Sequence, residues 1–214
     1  MPGTDAMRER DRPNVPKYVL WLGLGAMTLF VLRNNERFIL DHTDPQWEYF
    51  LPVRWWLIPH GFAGAVALLL GATQFSSRLR ERHRHLHRLG GRAYVIAVLV
   101  SAPTSVCISA IHNAVPTFTA IVVQATGWLL ATGLAYHFVR RRNFRLHQQW
   151  MIRSYAITTI FLFDRVFDAL PGVAPYDADT DPTVLWLCNV LAWAVPSLII
   201  VWMDARRDER LPVP

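Results

Sequence analysis

The chain has 214 residues, 52% hydrophobic and only 18% charged, with nine Trp and a mean hydropathy of +0.19. Soluble domains carry about 25% charged residues, so this composition excludes an ordinary soluble domain and points to lipid. The formal net charge of +6 is gathered between apolar blocks, where it reads as a topology signal; it excludes any need to invoke nucleic-acid binding.

The first apolar block, Tyr18 to Leu32, is short, but Lys17 and Arg33 can snorkel and extend it. A basic stretch before an apolar run also suits a signal peptide. No small-x-small cleavage site precedes Arg33, so an uncleaved anchor is expected. Five clearer blocks follow at Trp56 to Gln74, Ala93 to His112, Thr117 to Val139, Trp150 to Leu170 and Thr183 to Met203. Each is close to the ~20 residues that cross ~30 Å of hydrocarbon. The expected fold is therefore all-α, a single integral membrane domain over residues 1–214 with six spans, and Pro196 is expected to kink the last. Cys107 and Cys188 each lie inside an apolar block, leaving no disulfide framework and no CxxC metal site.

Basic residues orient the chain. Lys17, Arg8, Arg10 and Arg12, then Arg78, Arg80, Arg82, Arg84, Arg88 and Arg92, then Arg140, Arg141, Arg142 and Arg145, then Arg206, Arg207 and Arg210 share one side. The other side holds Arg33, Arg37 and Arg54 with acidic Glu36, Asp41, Asp44, Glu48, Asp177, Asp179 and Asp181. The bias places both termini in the cytoplasm of a multi-pass protein of the bacterial inner membrane, with anionic headgroups facing the basic loops.

Within the spans the polar residues fall on helical faces. His60, Gly64, Ala67, Gly71 and Gln74 recur at 4, 3, 4, 3 spacing in the second. Tyr94, Ser101, Ser105 and His112 do so in the third, and Ser154, Thr158, Phe161, Arg165 and Asp168 in the fifth. Small residues and hydroxyls of this kind also serve simple helix packing, at about 0.6 to 2 kcal/mol per interhelical bond. Asp164 and Arg165 sit within lipid depth, where an uncompensated charge costs about 2.5 to 3.5 kcal/mol on insertion scales. They are expected to face the bundle and pair, with Asp168 three residues from Arg165 as the natural partner.

Histidines sort into two layers. His60 and His112 lie toward the outer ends of their spans, while His83, His85, His87, His137 and His147 lie at the cytoplasmic boundary. Imidazoles from two helices at matching depth can ligate a haem iron axially, and two such layers would carry electrons across the membrane. Neutral imidazole also suits zinc or copper, although no HExxH pair is present. The basic run Arg82 to Arg88 equally suits plain contact with headgroups.

Three motifs lie in order along the central spans. They are His60-Gly61-Phe62-Ala63-Gly64 with Leu69-Leu70-Gly71-Ala72-Thr73-Gln74-Phe75, then His87-Arg88-Leu89-Gly90-Gly91-Arg92-Ala93-Tyr94, then His147-Gln148-Gln149-Trp150-Met151-Ile152-Arg153-Ser154-Tyr155-Ala156. Over residues 56–168 the chain resembles the bacterial predicted-membrane-protein family known as domain of unknown function 2306, with Arg165 resembling a further family arginine. The resemblance implies a helical membrane bundle and no particular activity. His60, His87 and His147 fall inside its motifs and His112 does not.

Gly90 and Gly91 are expected to form a tight turn with positive φ, with Arg92 opening the third span. Trp150 suits the interfacial aromatic belt, which puts His147 just outside the hydrocarbon and Arg153 one turn inside. His87, His147 and Arg153 are thus expected to share an inner vestibule fit for a phosphate, a carboxylate or a haem propionate. Two classes follow. One is a b-type-cytochrome-like bundle that binds haem b through His60, His87, His112 and His147 and passes electrons to a quinone or redox partner. The other is a non-enzymatic transport, binding or assembly protein with a polar core of His60, Arg153, Asp164, Arg165 and Asp168. No GxSxG, Walker or dinucleotide signature assigns an enzyme class.

Overall fold

The computed structural model describes residues 15–34, 41, 43–168 and 182–208. Arg8, Arg10, Arg12, Glu36, Arg37, Asp177, Asp179, Asp181 and Arg210 lie outside the described residues, as do positions 169 and 170 of the fifth expected span.

Among the described residues every element is helical: α1 (Val15–Asn34), α2 (Pro45–Phe50), a 3-10 turn (Leu51–Val53), α3 (Arg54–Gln74), α4 (Ser77–Arg82), α5 (Arg84–His112), α6 (Val115–Arg140), α7 (Phe144–Asp168) and α8 (Thr183–Asp208). Among the described residues four stretches are long and apolar enough to cross a membrane, namely Gln46–Gln74, Arg84–His112, Val115–Arg140 and Thr183–Arg206; Tyr18–Asn34 is a shorter apolar helix. The fifth expected span is a helix of 25 residues, diluted in hydropathy by Arg153, Asp164 and Arg165 on its length. Pro59, Pro103 and Pro196 all lie inside continuous helices.

The termini are set by local chemistry. Asp44 caps α2 by accepting from Gln46 N at 3.0 Å, and Ser76 caps α4 by accepting from Leu79 N at 3.3 Å. Between α6 and α7 the chain turns through Arg142, whose φ of 59° is left-handed. Asn143 N donates to Phe138 O at 2.9 Å and Arg142 N to Val139 O at 3.1 Å, the paired bonds of a Schellman end. Asn143 Oδ1 then accepts from Leu146 N at 3.1 Å and opens α7.

The core is built from small residues. Ala63, Ala67, Ala97, Ala102, Ala131 and Ala135 are buried and bring α3, α5, α6 and α7 close, while Tyr94, Trp128 and Tyr155 fill the centre. α1 joins from outside through Trp21, whose ring centroid is 6.1 Å from Tyr155 and 6.3 Å from Phe75. α8 packs on α7 and α6, with the Trp193 ring against Gly127.

One local expectation is corrected. Gly90 and Gly91 form no turn: α5 runs unbroken from Arg84 to His112, neither glycine has positive φ, and the span begins earlier than Arg92. The glycines instead make room for a neighbour. A Cβ on Gly90 would stand 2.8 Å from Gln74 Nε2, and one on Gly91 would stand 3.3 Å from Gln74 Oε1. The carboxamide of α3 is seated in a notch on α5.

Candidate functional site: a layered polar seam

On α5, His87, Tyr94, Ser101, Ser105 and His112 recur within about 40° of one helical direction, given about 100° per residue. α7 aligns His147, Ser154, Thr158 and Arg165 in the same way. The two faces meet across the bundle and divide into layers.

At the centre, four hydroxyls form a directed chain. Thr158 Oγ1 donates to Ser154 O at 3.0 Å, so its oxygen accepts from Tyr94 Oη at 2.9 Å. Tyr94 Oη accepts from Ser154 Oγ at 2.7 Å, which accepts from Thr132 Oγ1 at 2.7 Å. Each hydroxyl has one proton, which fixes this polarity. Trp128 Nε1 also donates to Tyr94 Oη at 3.4 Å. Tyr94 is 0% exposed, so the network ties α5, α6 and α7 where no water would compete. Tyr155 Oη donates to Leu68 O at 3.1 Å and ties α7 to α3.

Seven residues from Tyr94 along α5, or about 10 Å, His60 Nδ1 lies 2.9 Å from Ser101 O and 3.1 Å from Ser101 Oγ. A carbonyl only accepts, so Nδ1 carries the proton and Nε2 the lone pair. Arg165 of α7 is an electrostatic neighbour of His60, and its guanidinium carbon lies 5.7 Å from the Phe161 ring centre. Phe161 is 38% exposed, so its side chain departs from the buried face on which its spacing places it. The Asp168 side chain, expected to pair with Arg165, lies outside the described residues. His60 opposes Ser101, whereas His112 is eleven residues further along α5, about 16 Å. The outer histidines therefore do not form one layer. His112 instead stacks against Tyr49 at 4.6 Å and Phe50 at 5.5 Å, with Nε2 buried and without a hydrogen-bond partner.

At the basic end, seven residues before Tyr94 and Ser154, stand His87 and His147. His147 Nδ1 donates to Ala135 O at 2.8 Å, which again leaves Nε2 as the lone-pair nitrogen. His87 Nδ1 is buried with no hydrogen-bond partner. His147 precedes the fifth expected span, whereas His87 lies near the start of the stretch Arg84–His112. Burial pushes the pKa of His147 down. The shift of His147 favours its neutral, electron-donating form.

Arg153 is not part of that group. It sits about 240° around α7 from His147, with its guanidinium carbon 5.0 Å from the Trp150 ring centre and a bond to Gln149 O at 3.4 Å. On the same end Asp204 Oδ2 accepts from Gln149 Nε2 at 2.8 Å and pairs with Arg145 at 2.9 Å, anchoring α8 to α7. Sequence spacing had no signal for that link, because Asp204 lies 55 residues from Gln149. Among the described residues no three His, Cys, Asp or Glu side chains converge as a chelating metal site.

No curated protein and no solved structure matches the chain significantly. A family described as "Predicted membrane protein (DUF2306)" matches residues 57–203, which spans the three motifs, the polar seam and most of α8. The chain belongs to that family of predicted membrane proteins.

Proposed function

We propose that the protein crosses the bacterial inner membrane six times with both termini in the cytoplasm, and that the His87 and His147 pair at its inner face binds haem b for electron transfer to a quinone or redox partner. The arrangement of the two imidazoles carries this reading. His147 is oriented by an Nδ1–H bond to a backbone carbonyl, the usual outer-shell support of a metal-bound histidine. His87, at the same end of the neighbouring helix, has a buried Nδ1 with no hydrogen-bond partner. Two neutral imidazoles suffice as axial ligands to haem, whereas a zinc centre needs more. The residues fit the inner end alone, since Tyr94, Trp128 and Tyr155 fill the bundle centre. Bound there, the group would supply one-electron chemistry; the chain holds the tautomer of His147 through Ala135 O.

Protein purified in detergent from haem-replete cells should show a Soret band. His87→Ala and His147→Ala should each deplete or shift it, and His83→Ala and His85→Ala should not. Purification without a Soret band refutes the reading. The second reading, a non-enzymatic binding or transport protein, is favoured by the His60, Ser101 and Arg165 layer and becomes the better account in that event.

Topology rests on the basic residues, of which seventeen of 22 share one side and three the other. Reporters fused after Pro214 and between Arg80 and Arg88 should both report cytoplasm, and one near Asp179 the opposite face. A periplasmic C terminus refutes the six-span arrangement.

A further inference from the structure

The third motif continues past His147 with Gln148 and Gln149, and these glutamines line an open cleft of about 210 Å³ between α7 and α8. Its rim is polar. Gln149 Nε2 and Arg145 Nη2 both donate to Asp204 Oδ2, at 2.8 and 2.9 Å, while Gln148 is exposed and has no hydrogen-bond partner among the described residues. Its floor is apolar, made by Ile152, Ile200 and Met203. α7 and α8 run in opposite directions here, so Ile152, four residues after Gln148, and Ile200, four before Asp204, both lie about 6 Å deeper along the bundle. Trp150 and Trp202 carry the guanidinium groups of Arg153 and Arg206 over their rings at 5.0 and 3.8 Å, the pairing of ring and cation that suits the edge of the hydrocarbon. The cleft therefore crosses that edge, polar end outward and apolar end inward. The Arg145 side chain is 57% exposed and that of Asp204 25%, and such a bridge contributes only about 0–1 kcal/mol, so admitting a ligand between the two charges costs little. A headgroup with a phosphate and a primary ammonium satisfies both, the phosphate on the guanidinium fork and the N–H donors on the carboxylate. A headgroup that is only anionic meets Asp204 as a like charge.

We propose that the α7–α8 cleft binds a zwitterionic phospholipid, with its phosphate on Arg145 and Gln148, its ammonium on Asp204, and the start of an acyl chain over Ile152, Ile200 and Met203. The inference rests on the placement of this end at a membrane surface and is independent of the haem reading.

Full-length protein, delipidated in detergent, is titrated with phosphatidylethanolamine and, separately, with phosphatidylglycerol, and bound lipid is counted by native mass spectrometry. The wild type should bind phosphatidylethanolamine more tightly. Asp204→Asn, which keeps an oxygen for Gln149, should weaken phosphatidylethanolamine by about two- to fivefold, the range for one exposed ion pair, and remove its advantage over phosphatidylglycerol. Gln148→Leu, at an exposed position, should weaken both lipids, and Met203→Trp, which fills the floor, should abolish the first binding event for both. Leu198→Trp, on α8 outside the cleft and 70% exposed, should bind as the wild type does. Equal binding of the two lipids by the wild type, or an Asp204→Asn protein that keeps the preference, overturns the headgroup assignment. Wild-type binding by both Gln148→Leu and Met203→Trp overturns the site itself. These readings are taken in detergent, so they stand apart from the reporter test of topology: a periplasmic C terminus would change the leaflet and not the preference.

Discussion

Gly71 is where the packing of the bundle is most exposed to test. A Cβ built there would stand 2.5 and 2.7 Å from Cδ2 and Cε2 of Tyr155, and 2.8 Å from Cε2 of Tyr94. Ordinary carbon contacts are about 3.5 to 4.0 Å, so Gly71→Ala must displace two rings by roughly 1 Å. Neither ring is free to move. Tyr94 Oη is held by Ser154 and Thr158, and Tyr155 Oη by Leu68 O. Overpacking of this kind costs about 1–3 kcal/mol, and each strained hydrogen bond adds up to about 1 kcal/mol. Alanine returns about 1 kcal/mol in helix propensity. The net expectation is a loss of about 1–3 kcal/mol. Gly61, on the same helix with nothing within 4 Å of its built Cβ, supplies the comparison: Gly61→Ala should be neutral or stabilising by up to about 1 kcal/mol. Both variants are assayed by thermal unfolding in one detergent. A Gly71→Ala protein as stable as Gly61→Ala would refute the close approach of α3 to α5 and α7.

Tyr94→Phe removes the shared hydroxyl and leaves Ser154 and Thr158 short of a partner in a dry core, so it should cost about 1–3 kcal/mol; Tyr136→Phe, at 47% exposed, should cost almost nothing, and equal melting of the two would contradict the central network. Arg142→Gly relieves a left-handed backbone that costs a non-glycine residue about 1 kcal/mol, so it should raise the melting temperature; a lowered one would mean that the side chain contributes more than its backbone strain removes.

Helical class, membrane location and the position of the apolar blocks were legible in the chain because the cost of leaving backbone groups unpaired in lipid allows little else. The polar faces were legible too, since a helix repeats every 3.6 residues whatever surrounds it: the face of Tyr94 and Ser101 and the face of Ser154 and Thr158 both turn to the interior, where Tyr94 bonds to Ser154 and Thr158. What periodicity along one helix does not contain is the register between helices. Only packing decided that His60 lies against Ser101 and therefore about 16 Å from the depth of His112. The role of Gly90 and Gly91 was misread for the same reason. Two glycines beside a basic run have the local signature of a turn, but here the helix continues through them because the side chain of Gln74, sixteen residues earlier, needs the space that a Cβ would take. Arg153 is at the depth expected for the site, but its angle around α7 differs from that of His147 and its guanidinium lies over Trp150, a contact that only the structure shows.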